Sequence, residues 1–147
     1  MLAGVELGGT KCICTLGMGP DDIRAQVEIP TTNPHATLAA IRDILDGWDF
    51  QALGIASFGP LQLDRTSARF GSIISTPKAG WSGTDLTALA RGGAVAIDTD
   101  VNGAALAEGL WGAAQDVESW AYITVGMGVG VGSICCRQIL RGAGHSE

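Results

Sequence analysis

Two short stretches hold residue types suited to a phosphate, and a third holds a carboxylate suited to proton transfer. The first is Gly8-Gly9-Thr10-Lys11, set between the apolar runs Leu2 to Leu7 and Cys12 to Leu16. Glycine has no Cβ and tolerates positive φ, so a turn built on Gly8 and Gly9 can present bare N–H groups to an anion. Thr10 adds a hydroxyl and Lys11 a charge. A P-loop would run on into a helix; here a strand pattern follows, so the stretch reads as the tip of a hairpin. An ordinary hairpin turn with solvated polar residues is the alternative. The second stretch, Gly126-Met127-Gly128, repeats the strand, glycine turn, strand pattern between Trp120 to Val125 and Val129 to Cys136. Two such hairpins could close on a nucleotide phosphate chain from opposite sides. The carboxylate is Asp100, placed where the apolar run Ala94 to Asp98 gives way to a helix carrying Ala104, Ala105, Leu106, Leu110 and Trp111. A plain N-cap aspartate is the alternative there.

The elements that must position these groups follow from periodicity. Three antiparallel strands come first, over Leu2 to Leu7, Cys12 to Leu16 and Ala25 to Ile29, with Gly17 to Pro20 as a turn. Asn33 caps a helix that opens on Pro34 and runs to about Asp46, with Gly47 as its stop. Its apolar residues Leu38, Ile41, Ile44, Leu45 and Trp48 fall on one face, which predicts packing on the sheet. Leu53 to Ser57 is a buried strand that breaks at Phe58-Gly59-Pro60, the end where ligand loops sit in open α/β sheets. The stretch 61–82 is loop-rich, with strand character only from Ser72 to Ser75, and reads as a substrate-side flap. Lys78 and Trp81 could face a polar ligand there; a solvated lysine and a partly buried anchoring tryptophan are the plainer alternative. Thr84 is expected to cap a short helix from Asp85 to Arg91, ended by Gly92-Gly93. A composition change at Gly112 to Asp116 divides the chain into a small α/β domain, 1–113, and the opening of a second, 114–147.

The bulk properties exclude several classes. The chain has 147 residues, a formal net charge of −6 and 22 glycines. That charge argues against nucleic acid or an anionic membrane as partner, so an anionic ligand must be held locally. No apolar run approaches a membrane span and Met1 leads directly into strand-like sequence, which predicts a cytoplasmic protein. Cys12, Cys14, Cys135 and Cys136 form no C-x-x-C, and buried free thiols in a reducing compartment are expected rather than a zinc site.

Taken together, these motifs resemble the ROK family of ATP-dependent sugar kinases. The carriers are Glu6-Leu7-Gly8-Gly9-Thr10-Lys11, Asp98-Thr99-Asp100-Val101-Asn102-Gly103-Ala104-Ala105, Gly126-Met127-Gly128-Val129-Gly130 and Gly144-His145-Ser146-Glu147. Glu6, Thr99 and Thr76-Pro77-Lys78 look most like the fructokinase branch. The resemblance implies an α/β ribonuclease H-like fold, the actin and hexokinase type, with a small N-terminal domain plus the first hairpins of the large one. It implies Asp100 as the base that accepts a sugar hydroxyl proton, and Gly8, Gly9, Thr10, Lys11, Gly126 and Gly128 around the ATP phosphates. Glu6 would approach Mg²⁺ through water, while Thr99, Glu147 and His145 would meet the sugar. The implied partners are ATP and a hexose, fructose first and mannose or glucose next, in a homodimer. Met127 stands where the family usually has threonine, which predicts weaker ATP binding. The family also implies a further domain with the adenine pocket and structural-zinc ligands, none of which lies within these 147 residues. An inactive sugar-binding fragment is the competing expectation.

Overall fold

The computed structural model describes residues 1–126 and 128–142. Strands β1 (Leu2–Leu7), β2 (Lys11–Gly19) and β3 (Asp22–Pro30) form an antiparallel meander, and α1 (Pro34–Asp46) leads into β4 (Ala52–Ser57). After a long connection, β5 (Ala94–Thr99) completes a sheet of order β3-β2-β1-β4-β5, in which β1, β4 and β5 are parallel. Side-chain alternation decides what each face does. Ala3, Val5 and Leu7 of β1, Cys12, Cys14 and Leu16 of β2, and Leu53 and Ile55 of β4 are all buried. All of these but Leu16 pack with Leu38, Ile41 and Leu45 of α1 in one core. The helix starts as the sequence predicts, with Asn33 Oδ1 accepting the Ala36 amide at 2.9 Å. Its end differs in detail, because Gly47 has φ −80° and closes the helix without a left-handed turn.

Several expectations are corrected. Strand β2 runs on to Gly19 across a register shift near Gly17, so the turn falls at Pro20-Asp21. Ser72 to Ser75 is no strand; the connection folds on itself through isolated bridges, Leu61 with Ile73 and Ser72 with Asp85. The helix expected from Asp85 to Arg91 shrinks to a single 3₁₀ turn, Thr87–Leu89. Asp85 Oδ1 takes both the Thr87 amide and its hydroxyl, and a segment this short gains too few helical bonds to offset nucleation. Trp81 is fully buried rather than partly so. Its indole donates to Thr32 O at 2.9 Å and its ring meets Phe58 edge-on at 5.2 Å. Among the thiols, Cys12 and Cys14 are buried but Cys135 and Cys136 are exposed. The reason is local: Cys136 and Arg137, at φ 49° and 61°, form the two-residue turn between the last two strands, and Cys135 closes it.

On the sheet's second face lies α2 (Asp100–Trp111), whose Gly103 sits over Ala56 of β4. Beyond it a second antiparallel sheet, β6 (Trp120–Val125), β7 (Val129–Cys135) and β8 (Gln138–Leu140), packs its inner face on α2. Trp120 donates its indole N–H to Ala105 O at 2.8 Å, and Ile134 is buried beside it. The outer face leaves Ile123, Val125, Val129 and Leu140 exposed. Gly132 fixes how closely β7 approaches: a Cβ there would stand 2.1 Å from Val101 O and 2.9 Å from Asn102 N. Both atoms are backbone of the first turn of α2, so neither can swing away. Gly132→Ala is therefore expected to cost about 1–3 kcal/mol, read as a fall in Tm; an unchanged melt would show that the two elements slide freely. No helix among the described residues is long and apolar enough to cross a membrane.

Candidate active site

The three parallel strands end at one level. Leu7, Ser57 and Thr99 are laterally paired, so Gly8, Phe58 and Asp100 leave the sheet side by side at its carboxyl edge. Asp100 is two strands from Gly8, roughly 10 Å at ordinary strand spacing. In open α/β sheets this edge is where ligands bind.

The first glycine loop holds its carbonyls inward. Gly8 O accepts from Thr31 Oγ1 at 2.8 Å, Gly9 O from Lys78 Nζ at 2.5 Å and Thr10 O from Thr31 N at 2.9 Å. Gly8 N–H closes the turn onto Lys11 O at 3.0 Å. The N–H groups of Gly9 and Thr10 make no hydrogen bond among the described residues. Carbonyls satisfied from the protein side and N–H groups left bare are what an anion-binding loop requires. Lys11 itself turns aside to Glu28 at 2.9 Å, and that carboxylate raises its pKa above the ordinary lysine value.

Asp100 opens the first turn of α2, and the cap is its neighbour. Thr99 Oγ1 accepts the Asn102 amide at 3.3 Å, whereas Asp100 Oδ1 accepts Val101 N at 2.9 Å. Burial pushes the Asp100 carboxyl above the usual aspartate range, and the backbone bonds from Val101 and its own amide only partly offset this. The resemblance puts Thr99 against the sugar, but its hydroxyl is engaged within the protein. The residue shares strand parity with the buried Leu7 and Ser57 and has no exposed surface, so its hydroxyl serves the helix.

One row down, Glu6, Ala56 and Asp98 are paired across the sheet, and all three point into a cavity of ≈ 550 Å³ beneath α2 and β8. Asp98 is committed: its Oδ1 accepts Thr99 N at 2.9 Å and Asn102 Nδ2 at 2.8 Å, while its Oδ2 pairs with Arg141. Asn102 is fully buried and keeps its Oδ1 without a partner among the described residues. Asp100 does not line this cavity; it stands above it at the strand ends. Glu6 has no such partners, which makes it the acidic group there available to a hydrated cation. No cluster of three or more metal-ligating side chains occurs among the described residues.

The second glycine turn is closed by Gly126 N–H to Gly128 O at 2.8 Å, with both glycines exposed. Met127, His145 and Glu147 lie outside the described residues. Pattern alone assigns Asp98 and Arg141 no role of their own, and a solvated Lys78 is its plainer expectation. The strand period could have placed Asp98 beside Glu6, but nothing in the pattern foretold that Lys78 would reach a loop 69 residues away.

A β1-β2-β3-α1-β4-β5 mixed sheet with a glycine loop after β1 and a helix-borne carboxylate after β5 defines the actin-like ATPase fold. The ROK family profile matches residues 2–147, and the chain belongs to that family. It is 42% identical over 154 residues to a fructokinase from Zymomonas mobilis, covering 97% of this chain and 50% of that protein. With a Pediococcus pentosaceus fructokinase it shares 36% identity over 150 residues, covering 100% and 52%. Among solved structures, a ROK hexokinase from Thermus thermophilus superposes with a TM-score of 0.78 at 30% identity, covering 98% of this chain and 50% of that one. A ROK glucokinase from Streptomyces griseus, in complex with glucose and AMPPNP, gives 0.77 at 26% identity over 96% and 46%. The chain thus spans about half the length of the relatives it matches.

Proposed function

We propose that this chain carries the phosphate-binding and proton-accepting parts of an ATP-dependent hexose kinase with fructose as the preferred sugar. The observation that carries the reading is the shared strand-end level, which puts a half-buried carboxylate beside a loop of bare N–H groups. The relatives named fructokinase support the choice of sugar, and the AMPPNP complex of the glucokinase supports ATP as phosphate donor. In this reading residues 1–113 form the small domain and 114–147 open the large one.

Each residue then has a task. Gly9, Thr10 and Gly128 donate backbone N–H bonds to phosphate oxygens, where charge builds up during transfer, and Gly126, whose N–H closes the second turn, shapes that loop beside them. Asp100 orients a sugar hydroxyl and accepts its proton, the modest chemical share that a loose phosphoryl transfer leaves to a base. Glu6 would hold Mg²⁺ through water, and bound Mg²⁺ supplies charge neutralisation on the phosphates. Glu147 and His145 are proposed for the sugar hydroxyls, and a homodimer for the assembly.

The raised pKa of Asp100 has two signed consequences. As a base it must be ionised, so the acid limb of kcat/KM should lie above the ordinary aspartate range. For stability, the native state holds the Asp100 proton more tightly than the unfolded chain does, so that contribution is lost as pH rises through the folded pKa. Asp100→Asn should therefore melt higher than wild type at pH 7 and coincide with it below the unfolded pKa; a lower melt at pH 7 would contradict the burial argument. The sugar assignment is tested by calorimetric titration with fructose, mannose and glucose. Fructose should bind tightest, and glucose binding tighter than fructose would overturn the preference.

A further inference from the structure

We propose that Lys78, rather than Lys11, supplies the positive charge of the first phosphate loop, so that the 72–84 connection is part of the phosphate site. This rests on reading Gly8 to Thr10 as that loop. The sequence makes Lys11 the obvious cation, because it follows Gly8-Gly9-Thr10 directly. The structure separates the two lysines. Lys11 stands on β2 beside β3, its ammonium on Glu28 at 2.9 Å and both side chains more than half exposed. Lys78 is half-buried and its Nζ donates to Gly9 O at 2.5 Å, across 69 residues of sequence.

That bond fixes an ammonium on the inward side of a peptide whose neighbouring N–H groups are bare. A lysine ammonium has three donors, and Gly9 O is the partner of Lys78 Nζ among the described residues, so two donors stay available. The connection is built to hold it there. Trp81, three residues on, is fully buried and bonded to Thr32 O, next to the Thr31 that supports Gly8 and Thr10. The Lys78 amide is taken by Thr76 Oγ1 at 3.3 Å and Ser82 Oγ receives the Thr76 amide at 3.1 Å, which closes the turn that presents the lysine. Loop and lysine are thus tied to one frame, and an anion held by the Gly9 and Thr10 amides meets a charge that is already in place. The ligand chemistry is the phosphate chain of a nucleoside triphosphate.

The test is titration of the chain with inorganic tripolyphosphate, read by tryptophan fluorescence and calorimetry. Loss of a fixed positive charge behind the loop predicts that Lys78→Met weakens binding about tenfold or more, and lowers its dependence on ionic strength. Lys11→Met should shift affinity by less than about threefold, as an exposed pair implies. Lys78→Arg should retain binding, and Lys78→Gln, which keeps a donor for Gly9 O without the charge, should not; this pair decides the matter if the Met variant fails to fold. Unchanged binding in Lys78→Gln, or a larger loss in Lys11→Met, would overturn the proposal while leaving the loop reading intact. Absence of tripolyphosphate binding by the wild-type chain would instead overturn the loop reading, and this proposal with it.

Discussion

Replacing Asp100 with asparagine is expected to lower the rate of hexose phosphorylation by about 10²–10⁴-fold, the usual worth of a positioned general base. Asparagine has nearly the same shape and can still accept the Val101 amide at the start of α2, so the helix start should survive. What it lacks is the capacity to take a proton from the attacking hydroxyl. The loss should therefore appear in kcat, with the KM values for sugar and ATP changed by less than about threefold, because the interaction is made in the transition state. Steady-state kinetics of both proteins checks this. A variant that kept most of its kcat would remove Asp100 from the chemistry and leave it as a residue of the first helical turn.

The second large effect concerns stability. Trp81→Ala should cost about 3–5 kcal/mol, the range for emptying a fully buried large aromatic site. The native chain has only about 5–15 kcal/mol to lose, and at this length each kcal/mol moves Tm by about 2–4 °C, so a fall of about 6–20 °C is expected. Three losses add up. The buried ring leaves a cavity, Thr32 O loses the indole donor, and Phe58 loses its edge-on neighbour. Trp81→Phe, which keeps most of the volume but not the N–H, should fall between. A melt of the alanine variant within about 1 °C of wild type would mean that the 72–84 connection is not anchored where it packs.

Much of this architecture is legible in the sequence because it depends on local rules. Asn33-Pro34 marks the start of α1, and the apolar spacing from Leu38 to Leu45 gives its buried face. The two glycine turns are visible as breaks in period-two strands. Legibility fails where a residue answers to a distant partner. Thr99 looked like a ligand contact because it adjoins Asp100, yet strand parity turns it inward with Leu7 and Ser57. Lys11 looked like the loop's cation by adjacency, while Glu28 lies 17 residues away in sequence. The helix expected after Thr84 has the right punctuation, but Asp85 spends its carboxylate on Thr87 and the segment stops after one turn. The ion pair of Asp98 with Arg141 joins the first sheet to β8, and no sequence period reports on such a pair.

The central claim, a hexose kinase site at the carboxyl edge of β1, β4 and β5, is tested most directly by product formation. The purified chain would be incubated with Mg-ATP and fructose, mannose or glucose, and both ADP and sugar phosphate followed, with Asp100→Asn in parallel. Hexose-dependent ADP release is expected, greatest with fructose and lost in the variant. ADP release independent of hexose, or none with any of the three sugars, would contradict it.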